Sequence, residues 1–429
     1  MHRRSVLTAV LFSGLLLQLT VAEPAAAEPA AVAATHVRHI VLKSGWQTVN
    51  IGDIAHTPGV LHLLEQHLPD VTVTLWPNNI NDGVEEMLTK RFPKLRIASG
   101  SINAEGKAST PELTQAMADC DLLLHSSGPS FVAEKHVRAF VQATNKPFGV
   151  YGITLGTISD ETAALLNQAR FVYLRDSVST ALTQKQVTKC PLVTFGPDGA
   201  FACDVRDDER ANTYLASKGL SDGQFVCVIP RFRYTPYFLI HNKPLAETDR
   251  TKYDFSLAHA EADHAKLREA IIALVRVAKV RVLVCPEDQS HMAIGKQYLV
   301  DPLPDDVKAQ VVWRETYWRT DEAVSTYARS LGLVSMDMHS PIMCIGNGIP
   351  AIHIRFKEQT SKGIMWNDIG LNDWLFDLDE EVDGKRIIAA ALDLVTNRQA
   401  ALARVTAAQS VLHKHQTESM AVIGRSLKK

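Results

Sequence analysis

The sequence predicts an α/β fold made of two mostly parallel sheets, one in each of two domains. Three observations predict it. Short apolar runs alternate with helical patterns along most of the chain, which is the signature of βαβ units. The alternation comes as two series in tandem, separated by Gly, Pro and Asp residues around positions 195–208. Hydrophobic residues make up 46% of the 429 residues and charged residues 21%, enough apolar material for two full cores. Two such series imply two Rossmann-like domains facing each other across a cleft.

The first series opens with the strand His39-Ile40-Val41-Leu42. A polar loop follows, then an amphipathic helix near 58–67 and strands at 71–75, 121–125, 148–153 and 171–174. The second series places strands at 225–230, 280–285, 333–335 and 351–355, a long amphipathic helix at 263–279, and a largely helical end at 386–428. The expected division is an N-terminal domain over 37–205, a C-terminal domain over 206–395 and a C-terminal helix over 396–429. Residues 236–254 are polar and aromatic without clear periodicity. They read as a loop, either a lid over the cleft or plain solvated surface.

The start of the chain reads as a targeting segment. His2, Arg3 and Arg4 precede a mostly apolar run from Val6 to Val21, followed by small-residue cleavage candidates at Ala22 and Ala27. Residues 1–22 are therefore expected to be a signal peptide and 23–36 an Ala/Pro linker. The expected location is periplasmic or extracellular; an uncleaved leader would hold the protein at a membrane. The formal charge is −2, so no strong field points to nucleic acid. None of the six cysteines lies in a CxxC pair, and no metal site is expected from their spacing. Cys227 and Cys285 read as buried free thiols; an oxidising compartment would permit a Cys190–Cys203 bridge.

In parallel sheets of this kind, ligands sit outside the carboxyl ends of the strands. That rule selects the loops beginning at Lys43, Ser126, Gly152, Arg175, Arg231, Pro286 and Met336. After the first strand, Asn50-Ile51-Gly52-Asp53 offers a glycine for a tight turn and an aspartate able to cap a helix, orient a hydroxyl or act as a base. Ser126 and Gly128 belong to a small-residue loop suited to a sugar or an anion, or to an ordinary strand–helix turn. Arg175 with Asp176, and Asp198 after Gly196-Pro197, read as architectural. Arg231 and Arg233, on alternate positions after a strand, present guanidinium forks that match phosphate or carboxylate. His339 falls at a helix N-terminus, where the helix dipole lowers a histidine pKa and attracts an anion. Lys362 is a further candidate for anion binding, while the Trp and Phe residues beyond it read as packing.

Taken in order, Asn50-Ile51-Gly52-Asp53, Ser126-Ser127-Gly128-Pro129, Tyr151-Gly152-Ile153-Thr154-Leu155-Gly156, Leu174-Arg175-Asp176-Ser177, Gly196-Pro197-Asp198-Gly199-Ala200 and the segment 335–350 resemble the polysaccharide pyruvyl transferase family. The resemblance spans roughly residues 38–380 and lies in the ordered set rather than in any one motif. It implies a GT-B-like arrangement and transfer of a pyruvyl group from phosphoenolpyruvate to a pair of sugar hydroxyls on a polysaccharide or glycan, giving a pyruvate ketal. Phosphoenolpyruvate is then the donor substrate, and no cofactor is implied. In that reading His339 is the acid, Asp53 the base or acceptor orienter, and Arg231, Arg233 and Lys362 the anion clamp, with Asn50, Ser126 and Gly128 beside the substrates. One position departs from the pattern: Asp337 stands where the family carries an arginine two residues before the motif histidine. Either Arg231 or Arg233 compensates, or the donor differs. The rival readings are a glycosyltransferase-like sugar-modifying enzyme and a non-catalytic exported glycan-binding protein.

Overall fold

The computed structural model describes residues 37–427; the expected signal peptide over 1–22 and linker over 23–36 lie outside the described residues. Seven strands form the first sheet: β1 (His39–Ser44), β2 (Thr72–Pro77), β3 (Arg96–Ile97), β4 (Leu122–His125), β5 (Phe148–Ile153), β6 (Val172–Leu174) and β7 (Val193–Phe195). Six form the second: β8 (Phe225–Ile229), β9 (Arg281–Val284), β10 (Val311–Trp313), β11 (Gly332–Ser335), β12 (Ala351–Arg355) and β13 (Leu375–Asp377). Their orders are β3-β2-β1-β4-β5-β6-β7 and β10-β9-β8-β11-β12-β13, and the pairings are parallel. Both are doubly wound sheets, so the expected fold class holds. The central strands β1, β4, β5 and β8 are buried along their whole length, as continuous apolar runs covered on both faces require.

Each order reverses at one point, between β1 and β4 in the first sheet and between β8 and β11 in the second. A crevice forms where neighbouring connections leave to opposite faces. Four of the loops singled out in the sequence start at these two points: those after Ser44, His125, Ile229 and Ser335. The topology therefore brings them to one cleft.

The helix after β1 differs from expectation. It begins at Ile51 rather than near Pro58 and runs to His67 (α1). Most of its residues from Ile51 to Leu64 are buried, so it shows no polar face from which periodicity could be read. Asn50 caps it, its side chain accepting from the Gly52 N–H at 2.7 Å, and Pro58 is carried inside. Residues 236–254 are likewise not a loop. They form a short helix, α2 (Tyr237–Ile240), and the first turns of a long one, α3 (Glu247–Arg276). The exposed, charged start of α3 hid its helical period. The edge strands β3, β7, β10 and β13 have two or three residues each, too few to leave a pattern.

A short helix carrying the candidate histidine follows β11, α4 (His339–Gly346), and the chain closes with α5 (Arg398–Ser426). That last helix returns to the first sheet: Phe195 and His415 meet at 5.1 Å between ring centroids. On its way its Gln409 side-chain amide donates to the Ile345 and Gly346 carbonyls at 3.1 Å. One buried apolar cluster runs from Ile40 through α1 to Ile352 and Leu427, so the two sheets share a core. All six cysteines are free, and Cys190 and Cys203 are not bridged. Among the described residues no helix is long and apolar enough to cross a membrane.

Lys43 is a fully buried cation on β1. Its ammonium donates to the Asn78 side-chain carbonyl at 2.7 Å and lies 4.5 Å from the Trp76 ring centroid. Burial lowers its pKa to about 7. The unfolded chain keeps the lysine proton up to its ordinary value, so between these pH values the unfolded state binds more protons and stability rises with pH. Lys43→Met is expected to be the more stable protein at pH 7, with an advantage that shrinks on the order of 2 kcal/mol by pH 9. Urea denaturation of both proteins at the two pH values checks this; a difference independent of pH contradicts it.

Candidate active site

The entry to α1 is bound to the second domain. The Ile51 N–H donates to the Glu287 carbonyl at 3.0 Å, the Gln289 N–H to the Val49 carbonyl at 3.3 Å, and Asn50 forms a bridge with Asp288. Thr320 donates its hydroxyl to the Ile51 carbonyl at 2.8 Å. This docking sets Gly52 against His339. A Cβ at Gly52 would lie 2.1 Å from the His339 Cβ, closer than any real contact, so only glycine admits the histidine here.

His339 is the first residue of α4, whose free N–H groups need acceptors. Glu287 supplies them from the loop after β9. One carboxylate oxygen accepts from the Ser340 N–H at 2.6 Å, and the other accepts from the His339 N–H at 3.2 Å and lies 3.2 Å from His339 Nδ1. Burial, then the neighbouring Asp337, push the Glu287 pKa up. Burial, then Lys362, push the His339 pKa down. Both shifts favour the neutral form of each group, and the two form a hydrogen-bonded couple at 3.2 Å.

Asp337, the residue that replaces the family arginine, is fully buried. Burial alone would raise its pKa, but Arg231 and then Lys362 outweigh it and hold the carboxyl well below its ordinary value. The Arg231 guanidinium donates to it at 2.5 Å and the Lys362 ammonium stands 3.8 Å away. The acid thus sits inside a cluster of cations rather than facing a substrate alone. Arg233 is spent differently: it bonds both Asp263 oxygens at 2.8 and 2.9 Å, Glu358 at 3.1 Å and Asp379 at 2.7 Å. Arg231 and Lys362 both line the cleft and both pair with Asp337.

The cleft in front of these groups encloses about 540 Å³ and is lined by Asn50, Asp53, Arg231, Arg233, Asp337, His339 and Lys362. Of the candidate residues, it brings together all except Ser126 and Gly128. Asp53 is oriented by the Gln47 amide, which donates to it. Trp46, Tyr234, Tyr237, Phe238 and Tyr253 add an aromatic wall, in which Tyr237 is 44% exposed. Ser126 is fully buried, and the Gly128 carbonyl accepts from the Thr154 N–H at 3.2 Å. Their loop is structural support for Trp46, whose indole N–H donates to the Ser127 carbonyl at 2.6 Å.

Several residues at this site carried no recognisable signal in the sequence. Glu287 and Asp288 lie in a loop that the strand-end rule selected only by its first residue, and His291 begins the short helix that follows it. His56 was one buried helix position among many. It lies 3.5 Å from Asp198, which Arg175 holds at 2.5 Å, and its ring meets the His339 ring edge to face. Asp176 caps the next helix through the Ser179 N–H at 2.7 Å.

The family profile described as Polysaccharide pyruvyl transferase matches residues 50–357, most of the chain and most of the residues that line the cleft, though not Trp46, Gln47 or Lys362. The chain belongs to the polysaccharide pyruvyl transferase family. It is thereby an enzyme of the transferase class. No curated protein matches the sequence significantly. Among solved structures, this pyruvyl transferase family member is similar to the Staphylococcus aureus MnaA–UDP structure, with a TM-score of 0.56, 10% identity, and coverage of 90% of this chain and 95% of that one. It is similar to UDP-GlcNAc 2-epimerase from Neisseria meningitidis bound to UDP-GlcNAc, with a TM-score of 0.54, 10% identity, and coverage of 90% and 100%. Escherichia coli ADP-heptose LPS heptosyltransferase II gives a TM-score of 0.50 at 11% identity, covering 84% of this chain and 99% of that one. These likenesses establish the GT-B-like pair of Rossmann-like domains and carry nothing further about substrate.

Proposed function

We propose that the cleft transfers a pyruvyl group from phosphoenolpyruvate to two hydroxyls of a glycan, forming a pyruvate ketal. The observation that carries this reading is the convergence of Asp53, Arg231, His339 and Lys362 on one cleft in a chain of this family. The reaction protonates the methylene carbon of the donor and develops positive character at the adjacent carbon. A glycan hydroxyl attacks there, phosphate leaves, and a second hydroxyl closes the ring. The His339–Glu287 couple is the proton store for the first step, and Asp53 takes the proton of the attacking hydroxyl. Arg231 and Lys362 face the donor's carboxylate and phosphate. The aromatic wall gives pyranose rings an apolar face to stack on, which suits a glycan acceptor.

Release of phosphate from phosphoenolpyruvate that depends on added glycan tests the proposal. His339→Ala is expected to lower that rate on the order of 100-fold or more. Full activity in His339→Ala, in a protein that releases phosphate, sinks the assignment of the couple.

One observation favours a second reading. The cleft's cations are largely matched by acids: Arg231 by Asp337, and Arg233 by Asp263, Glu358 and Asp379. A non-catalytic glycan-binding protein would have this balance. Glycan binding without turnover, unaffected by His339→Ala, would select it.

A further inference from the structure

We propose that His56, Asp198 and His339 bind a divalent metal ion of the zinc class behind the floor of the cleft. The three residues come from α1, from the turn after β7 and from the start of α4. All three are buried, at 0%, 0% and 5% exposure. One ligand atom from each lies within 4.8 Å of the others. His56 Nε2 is 3.5 Å from the Asp198 carboxylate, and the two imidazole rings meet edge to face at 5.0 Å. Around a tetrahedral zinc with bonds near 2.0–2.1 Å, ligand atoms stand about 3.3 Å apart. Small side-chain shifts complete that geometry.

The hydrogen bonding points to a ligand independently. Among the described residues, neither nitrogen of His56 has a hydrogen-bond partner, and neither does His339 Nε2. Leaving a buried polar group unsatisfied costs about 1–3 kcal/mol, so one nitrogen of His56 and Nε2 of His339, each buried without a hydrogen bond, call for a partner. The surroundings also fit. Glu287 holds His339 at Nδ1, which leaves the Nε2 lone pair for an ion when the ring proton is on Nδ1. A carboxylate on the second nitrogen is the usual support of a metal-bound histidine. Asp198 is fixed by Arg175 at 2.5 Å and by the Ala200 N–H at 2.8 Å, so it presents one oxygen to His56 in a set orientation. Two imidazoles and a carboxylate are a donor set typical of zinc, with a fourth position left open.

Two neighbouring clusters bring carboxylates and histidine equally close but do not fit an ion. In the group of Asp288, His291 and Asp337, His291 Nδ1 accepts from the Glu287 and Asp288 N–H groups at 3.1 and 3.3 Å. Its Nε2 must then carry the proton and has no lone pair to offer. In the group of Glu287, Asp337 and His339, both Glu287 oxygens accept from the first N–H groups of α4 and Asp337 already pairs with two cations, Arg231 and Lys362, where Asp198 has one. With Nδ1 against Glu287 and Nε2 on the ion, His339 has no nitrogen left for the donor, so proton transfer by His339 belongs to the ion-free chain. That last consequence alone rests on the reaction proposed above.

The test is metal analysis and zinc titration of the whole protein after removal of metal by a chelator. One zinc per chain is expected, with a higher melting temperature in its presence. Cobalt in its place is expected to give the visible absorption of a tetrahedral site. His56→Gln and Asp198→Asn are expected to weaken zinc binding on the order of 100-fold or more. Substoichiometric zinc in the wild-type protein, or a six-coordinate cobalt spectrum, overturns the proposal whether or not the variants fold. So does undiminished binding in a folded His56→Gln. A chain that transfers pyruvate and binds no zinc overturns the metal site and leaves the reaction; a zinc-binding chain inert toward phosphoenolpyruvate even when stripped of metal does the reverse.

Discussion

Gly52→Ala is expected to abolish transfer and to destabilise the fold, although it adds one methyl group. The new Cβ would fall 2.1 Å from the His339 Cβ and 2.2 Å from its Cγ. Neither partner can yield cheaply. Gly52 is in the first turn of α1, whose Ile51 N–H and carbonyl are tied to Glu287 and Thr320 of the second domain. His339 begins α4 and is held by Glu287 at its backbone and ring. Overpacking of this kind costs about 1–3 kcal/mol, and displacement of a catalytic group by about 1 Å costs on the order of 100-fold in rate. Urea denaturation and glycan-dependent phosphate release check the two parts. A Gly52→Ala protein with wild-type stability and rate would show that His339 does not sit where it is described.

The second large effect concerns Arg231. Arg231→Ala leaves Asp337 fully buried with only Lys362, 3.8 Å away, as a cationic side chain close to it among the described residues apart from His291 at 3.8 Å. Removing one member of a buried pair costs about 3–5 kcal/mol, so this variant is expected to be severely destabilised at neutral pH. The pH dependence has a definite sign. Arg231 lowers the Asp337 pKa in the folded state, so the pair's stabilisation is present above the ordinary carboxylate range and is lost as pH falls through and below it. The cost of Arg231→Ala should shrink in the same direction. The opposite single change, Asp337→Asn, keeps a side chain of similar shape and frees Arg231 for a ligand. It is expected to tighten phosphoenolpyruvate binding about tenfold, read by titration calorimetry. Equal binding by Asp337→Asn and the wild type would mean that Arg231 does not face the donor.

The fold was largely legible because its main strands are buried on both faces and read as unbroken apolar runs, as at Phe225–Ile229. The loops at the strand ends were legible for the same reason, since topology alone sends them to the cleft. What escaped had specific causes. α1 is buried nearly all round and so lacks an amphipathic period, which hid both its true start and His56 within it. The edge strands are too short to have a period. The role of Asp337 could not be read locally, because its partners Arg231 and Lys362 stand far from it in sequence and the repulsion expected of a lone acid is cancelled by them. Glu287 shows the same limit: it caps α4 from a different strand loop, and only the tertiary fold makes it the partner of His339.

The most direct test of the central claim is mass spectrometry of glycans incubated with the purified protein and phosphoenolpyruvate. A glycan gaining a pyruvate ketal, with the gain abolished in His339→Ala, is the predicted result. A broad panel of glycans left unmodified, while the same protein binds one of them, would contradict it.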